Sequence, residues 1–196
     1  MRITAGKFKN KPILSYKDKK GELRPTSSKV RQAVFNLLQH GKFLREVNFI
    51  NEENPSLIQG RIIADIYCGT GIMGFEAASR GAEKILFVDL NSRTLDITKE
   101  NAENLGITRE CMFNKADGTK LPRAPLRCDV IFMDPPYEMK LVPPTMKSLH
   151  ENGWLRDGAV IIAEHSKRED IETPEGFVLL DKRPYNNTFL SIFKLS

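Results

Sequence analysis

Hydrophobic and polar positions follow a helical spacing near the start of the chain and a mixed spacing after it. Over residues 27–39, apolar side chains recur three and four positions apart, which predicts an amphipathic helix that ends near Gly41. Thr26 or Ser27 can cap the first turn of this helix. Residues 42–59 mix charged residues, Asn and Pro with a few apolar ones, so they predict an irregular linker.

Short apolar runs alternate with helical patterns from residue 61 onward. The pattern predicts strands at 62–67, 85–89 and 130–133, and helices from about residue 72 and over 92–105. Alternation of this kind is typical of β-α-β units. We therefore expect an α/β fold, with a parallel sheet and helices on both of its faces.

The last three apolar runs, at 159–163, 177–180 and 188–195, also predict strands. Only a short turn, residues 184–187, separates the last two of them. A parallel crossover needs a dozen or more residues, so this connection predicts an antiparallel hairpin at the edge of the sheet.

Charge is distributed unevenly along a chain of 196 residues with a formal net charge of +5. Residues 1–31 contain ten of the 30 basic residues but only two of the 25 acidic ones. A basic arm on a slightly acidic body suits a polyanionic partner such as a nucleic acid. Charge alone leaves open the alternative of a solvated basic surface with no partner.

Composition narrows the classes of protein further. No apolar run reaches the length of a membrane span, and charges stand where a signal peptide would have its apolar segment. The three cysteines form no C-x-x-C pair and the three histidines are scattered, so neither a disulfide framework nor a zinc site is predicted. We expect a soluble, cytoplasmic protein that needs no metal.

The first motif with chemical meaning is a glycine pattern, G-x-G-x-x-G, at residues 69–74. It directly follows the first predicted strand and opens a helix, so its backbone can approach a ligand closely. Asp89 ends the next strand, twenty residues beyond Gly69, where a carboxylate can bind both hydroxyls of a ribose. Together these features predict a cofactor that contains adenosine, rather than a merely structural turn.

Two further acids favour S-adenosyl-L-methionine over a dinucleotide. Asp65 lies four residues before Gly69, and Asp117 follows the presumed third strand. Carboxylates repel a pyrophosphate, whereas they attract the sulfonium and ammonium groups of S-adenosyl-L-methionine. An ordinary Asp-Gly turn is an equally good explanation of Asp117 taken by itself.

The motif Asp134-Pro135-Pro136-Tyr137 follows the apolar run 130–133 and points to the reaction. The prolines fix the backbone and leave its carbonyls free to accept, Asp134 adds another acceptor, and Tyr137 offers a flat ring. The amine of a nucleobase is a poor nucleophile until acceptors hold its hydrogens. Tyr137 can stack on a base drawn out of its helix. A simple proline-rich turn is the alternative.

With these motifs the chain resembles class I methyltransferases that use S-adenosyl-L-methionine, and among them the RsmD family. The resemblance includes the segments 2–6 and 23–26, then 30–36, 65–80, 134–137 and 151–155. It implies transfer of a methyl group to the exocyclic N2 of a guanine in 16S rRNA. It also implies a Rossmann-like, mostly parallel sheet of seven strands whose last strand is antiparallel, with a short basic N-terminal extension. Tyr67-Cys68 departs from the more usual Phe-Ala before the first glycine.

The resemblance also implies roles for individual residues. Asp65, Gly69 and Gly71 would line the methionine part of the cofactor, Asp89 its ribose, and Asp117 its adenine. The catalytic residues would be those of the 134–137 motif, in which Asp134 accepts from the guanine amine and Tyr137 stacks on the base. We expect contacts to RNA from Arg2, Lys7, Lys9, Arg24, Thr26 and Arg31. For Arg24 and Arg31, the alternatives are loop support and a solvated helix position.

The same reasoning divides the chain into an RNA-contacting extension, residues 1–57, and a methyltransferase domain, residues 58–196. We expect a monomer that acts on 16S rRNA, and the sequence leaves open whether the substrate is naked RNA or an assembled small subunit. Methylation of adenine N6 in RNA or DNA, a non-catalytic nucleic-acid-binding role and NAD binding are the alternatives.

Overall fold

The computed structural model describes residues 1–15, 28–51, 53 and 55–196, with no side-chain description for residues 28 and 29. Arg24, Thr26 and Ser27 lie outside the described residues. The elements, in chain order, are α1 (Ser28–His40), β1 (Ile62–Ile66), α2 (Ile72–Ser79), β2 (Lys84–Asp89), α3 (Ser92–Leu105), β3 (Cys111–Lys115), β4 (Cys128–Met133), α4 (Val142–Glu151), β5 (Leu155–Ser166), β6 (Phe177–Tyr185) and β7 (Thr188–Leu195). A short 3-10 helix, Lys42–Glu46, lies within the predicted linker.

The strands form one seven-stranded sheet in the order β3-β2-β1-β4-β5-β7-β6. The pairs from β3 to β5 are parallel, whereas β7 runs antiparallel to both β5 and β6. The predicted parallel sheet, terminal hairpin and reversed last strand are confirmed. The strand order reverses between β1 and β4, and open α/β sheets bind ligands at the carboxyl ends of the strands at such a point.

Side chains of each strand alternate between two hydrophobic clusters, one on each face of the sheet. Ile63, Phe87 and Phe132 pack with α1, α2 and α3, whereas Ala64 and Ile131 pack with α4 on the opposite face. Continuous apolar runs such as residues 130–133 are explained by this burial on both faces.

The structure extends several elements beyond their predicted ends. β5 spans Leu155–Ser166 and β6 reaches Tyr185, so the last turn is shorter than the predicted one. The sequence pattern did not predict α4, since two prolines at its start obscure the periodicity. Proline is tolerated in the first helical turn, where its missing N–H would have no partner.

The N-terminal residues pack against the outside of α2 rather than standing apart from the domain. Residues 1–13 form a hairpin-like loop, in which the Ile3 N–H donates to the Lys11 carbonyl and the Asn10 N–H donates to the Ile3 carbonyl. The side chains of Ile3, Phe8 and Ile13 belong to the same buried cluster as those of α1 and α2. The division at residue 57 stays a prediction, and the described residues on both sides of it share this core.

Glu76 of α2, which is fully buried, holds the N-terminal loop in place. Its carboxylate accepts from the backbone N–H groups of Thr4 and Ala5 and from the Thr4 hydroxyl, at 2.6–3.1 Å. It also forms ion pairs with Arg80 and with Arg31 of α1. One buried carboxylate therefore joins three segments that are far apart in the sequence.

Candidate active site

The glycine turn between β1 and α2 has the open backbone that the motif predicts. Gly69 and Gly71 both adopt positive φ angles, 53° and 79°. A Cβ at Gly71 would lie 2.7 Å from the Phe75 ring, whereas a Cβ at Gly69 would project into open space. Only glycine adopts this conformation readily, so the turn presents bare backbone at the carboxyl edge of the sheet.

Asp89 and α3 hold this turn from the neighbouring strand. The Gly69 N–H donates to Asp89 Oδ2 at 2.9 Å, and the Asn91 N–H donates to Asp89 Oδ1 at 2.8 Å. The buried Thr98 hydroxyl donates to the Gly69 carbonyl. A carboxylate has about four acceptor positions, so Asp89 keeps capacity for the ribose hydroxyls that the resemblance assigns to it.

Asp65, at the end of β1, is almost fully buried directly beneath the turn. It accepts a hydrogen bond from the Gly74 N–H at 2.9 Å. Burial raises the pKa of Asp65 to about 8, with smaller contributions from the nearby charges of Asp134 and Asp89. A carboxyl in this state favours a cationic ligand, because the positive charge compensates for the cost of ionisation.

Asp117 lies beside the glycine turn because Tyr67 joins the two loops. A Cβ at Gly118 would meet the Tyr67 hydroxyl at 2.6 Å, and that hydroxyl also lies 2.6 Å from the Thr145 hydroxyl of α4. Tyr67 itself has a positive φ of 63°. Asp117 Oδ1 accepts from the backbone and the hydroxyl of Thr119, and these bonds lower the pKa of Asp117.

The 134–137 motif forms a loop after β4 that is held at two points, one in β5 and one just after it. The Tyr137 hydroxyl donates to Glu164 at 3.0 Å, and the Lys140 N–H donates to Glu169 at 2.8 Å. Both glutamates are buried. Pro135 is buried and Pro136 is exposed.

A pocket opens at the carboxyl ends of β1, β4 and β5, the three strands in the middle of the sheet. Asp65, Asp134 and Glu164 contribute carboxylates to its wall. The remaining lining is apolar: Val34, Met73, Phe132, Met133, Ile162 and Leu190. The structure therefore brings the predicted cofactor-binding Asp65 and the predicted catalytic Asp134 into one cavity, which α1 borders through Val34.

The residues predicted to contact RNA lie in three different environments. Arg2, Lys7 and Lys9 are exposed, and the Lys7 N–H donates to the Ser79 carbonyl at the end of α2 remote from the glycine turn. Arg31 is buried, donates to the Arg2 carbonyl at 2.9 Å and pairs with Glu76. This burial assigns Arg31 to docking of the N-terminal loop. Arg24 and Thr26 lie outside the described residues.

Two kinds of feature are absent from the part of the chain that the structure describes. There, no group of three or more histidine, cysteine or acidic side chains is arranged to hold a metal ion. Within the same residues, the helices are too short or too polar to span a membrane.

The model of the family described as conserved hypothetical protein 95 matches residues 1–194. Ribosomal RNA small subunit methyltransferase D of Haemophilus influenzae is 31% identical over 189 residues, which cover 93% of this chain and 88% of that protein. The chain belongs to the RsmD family. The match extends over the N-terminal loop, α1 and the sheet alike.

Two solved structures share the fold of this chain. A candidate methylase of H. influenzae superposes with a TM-score of 0.74 at 26% identity, over 99% of this chain and 97% of its own. An RNA methyltransferase of Salinibacter ruber, solved with S-adenosyl-L-homocysteine, has a TM-score of 0.58 at 12% identity over 87% and 93% of the two chains. The chain has the class I methyltransferase fold.

Three acids that the sequence analysis passed over have structural roles in this RsmD-family protein. Glu164 lines the pocket, Glu169 holds the loop after the motif, and Glu76 docks the N-terminal loop. Glu164 carried a usable signal, since it directly follows the apolar run 159–163 as Asp134 follows 130–133. Glu76 and Glu169 had no such signal.

The raised pKa of Asp65 predicts a pH dependence of stability. In the folded state Asp65 keeps its proton up to about pH 8, whereas its pKa in the unfolded chain is 3.8, so its contribution to stability is lost as pH rises from 3.8 towards 8. We expect the Tm of the ligand-free protein to fall between about pH 6 and about pH 8, and to fall less in Asp65→Asn. The asparagine oxygen can still accept from Gly74. Thermal unfolding of both proteins checks this, and equal slopes would contradict it.

Proposed function

We propose that this chain transfers a methyl group from S-adenosyl-L-methionine to the exocyclic N2 of a guanine in 16S rRNA. The observation that carries the proposal is the pocket in which Asp134 and Asp65 meet at the carboxyl edge of the sheet. One acid suits the amine that is to be methylated, and the other suits a cationic methyl donor. The names of the RsmD-family relatives support an rRNA substrate.

The residues around the glycine turn fit S-adenosyl-L-methionine. Asp65 would face the positive charge of the cofactor, and Gly69 and Gly71 would let its methionine part approach the main chain closely. Asp89 would accept from the ribose hydroxyls, and Asp117 would accept from the adenine amine. When bound, this cofactor would supply a methyl group on a positively charged sulfur, with a neutral thioether as the leaving group.

Asp134 prepares the amine for reaction. By accepting one N2–H it orients the nitrogen lone pair and takes up the positive charge that develops on the nitrogen as the new bond forms. The proton that the nitrogen loses passes to Asp134 through the same hydrogen bond. Positioning supplies the rest, since Glu164 holds the Tyr137 hydroxyl and the Tyr137 ring would stack on the base. This scheme uses no covalent enzyme intermediate.

The exposed basic residues of the N-terminal loop would bind the RNA backbone together with Arg24 and Thr26. We expect RNA affinity to fall steeply with salt, because each phosphate that is neutralised releases counterions. In the double variant Lys7→Ala/Lys9→Ala the slope of log affinity against log salt should shrink by about two. Filter binding of 16S rRNA fragments over a salt series measures this slope.

Lys147→Ala provides the matched control for this measurement. Lys147 is an exposed lysine on α4, on the opposite face of the sheet, and it pairs only loosely with Glu151 at 3.7 Å. Its removal should leave the slope unchanged. An equal reduction by both variants would mean that the N-terminal loop does not contact the RNA.

The experiment that tests the proposed function is methyl transfer from labelled S-adenosyl-L-methionine to unmodified small subunits, to naked 16S rRNA and to DNA. The product nucleoside is identified by mass. N2-methylguanosine in rRNA supports the proposal, and a comparison of the two rRNA substrates shows which form is used. N6-methyladenine, or no product from any substrate, would overturn it.

A further inference from the structure

Glu164 of β5 and Asp134, the residue that directly follows β4, are neighbours on the same face of the sheet. β4 and β5 are parallel, with Phe132 paired to Ile162 and Met133 to Ala163, so the next positions along are Asp134 and Glu164. Phe132 and Ile162 belong to the cluster on the α1 face, and side chains two residues further on lie on that face too. Neighbouring strands are about 4.8 Å apart, so the two carboxylates stand side by side in the pocket wall.

The side chain of Glu164 is held rigidly, with one oxygen engaged and one available. It is 8% exposed, and its Oε1 accepts from the Tyr137 hydroxyl at 3.0 Å and from the Thr188 hydroxyl at 3.1 Å. Within the described part of the chain, no donor reaches Oε2. Since Glu164 lines the pocket, Oε2 keeps its capacity to accept a hydrogen bond from a ligand bound there.

We propose that Glu164 selects guanine by accepting a hydrogen bond from its ring N1–H while Asp134 accepts from the adjacent N2 amine. This inference rests on the proposed function and adds a specificity-determining residue to it. Guanine presents N1–H and N2–H₂ side by side as donors, and two adjacent carboxylates match that pair. Adenine presents an acceptor at N1, which would face the Glu164 carboxylate with no hydrogen between them.

2-Aminopurine separates this role from a purely structural one. It keeps the 2-amine of guanine, but its N1 carries no hydrogen and is an acceptor. The wild-type protein should therefore methylate RNA with guanine at the modified position far better than the same RNA with 2-aminopurine there. A site built around a hydrogen bond rejects an analogue that lacks the donor, since a buried polar group is then left unpaired.

Glu164→Gln is the decisive variant. The amide oxygen can still accept from Tyr137 and Thr188, which leaves the NH₂ group where Oε2 stood and turns an acceptor into a donor. The ratio of kcat/KM for guanine to that for 2-aminopurine should fall by about tenfold or more. A side chain that only supports Tyr137 would lower both kcat/KM values by the same factor and leave the ratio unchanged.

Thr188→Val is the matched control, because it removes one donor to Oε1 and leaves the carboxylate in place. It should change both kcat/KM values alike and preserve the ratio. A ratio that is unchanged in Glu164→Gln would overturn the inference. Equal methylation of both RNAs by the wild-type protein would also overturn it, and that test does not depend on the folding of a variant. Absence of N2-methylguanosine from the guanine RNA would instead count against the proposed function itself.

Discussion

Replacing Asp134 by alanine should lower the rate of methyl transfer by about 10²–10³-fold, the usual effect of removing one group that stabilises charge in a transition state. Asp134 is the acceptor that the reacting amine would meet, and it shares the pocket with Asp65. Affinity for S-adenosyl-L-methionine should remain essentially intact. The charge of Asp134 raises the pKa of Asp65, so its removal leaves Asp65 ionised more readily.

Single-turnover transfer to rRNA and calorimetric titration of the cofactor measure the two effects separately. Asp157→Ala is a suitable control, since Asp157 is an exposed acid on β5 outside the pocket. It should retain both properties. A variant at Asp134 that lost cofactor affinity and kept its turnover at saturation would mean that Asp134 belongs to the cofactor site.

Replacing Glu76 by glutamine should destabilise the protein by about 3–5 kcal/mol, because it leaves a buried charge without its partner. The side chain of Arg31 is 3% exposed, and Glu76 is the acid with which it pairs. The backbone of Thr4 and Ala5 also depends on the Glu76 carboxylate. Urea denaturation measures the free energy of unfolding.

Glu83→Gln is the control for this prediction, since Glu83 is exposed and lies directly before β2. It should change stability by no more than about 0.5 kcal/mol. The double variant Glu76→Gln/Arg31→Met should recover part of the loss, because both members of the pair are then uncharged. Full stability in Glu76→Gln alone would show that the N-terminal loop docks without this carboxylate.

Much of the fold could be predicted because its signals are local. Apolar runs, helical spacing and glycine or proline at the ends of elements report on neighbouring residues, and they located β1, β2, β4, β7 and α3 closely. α4 was missed because Pro143 and Pro144 interrupt its pattern, although both lie in the first turn, where proline is harmless. The length of β5 was underestimated because its polar ends lack the apolar signal.

Some residues of the candidate site could also be predicted from local sequence, whereas others could not. Asp65, Asp89, Asp117 and Asp134 could be singled out because each lies in or next to the end of a recognisable strand. Arg31 could not be placed, since nothing near it in the sequence distinguishes a solvated arginine from one that pairs with Glu76, 45 positions away. The position of Glu164 after an apolar run marked it as a candidate, but its role depends on Tyr137 and Thr188, which approach it only in the folded chain.

The sequence by itself determined the class of fold, the glycine turn, the acids at the strand ends and the family to which the chain belongs. These follow from the period of side chains along a strand or helix and from motifs a few residues long. Only the tertiary structure decided which carboxylates share a pocket, that α1 borders it, and that Glu76 ties the N-terminal loop to α2. The reason is physical, because strand register and packing bring together residues that no local spacing connects.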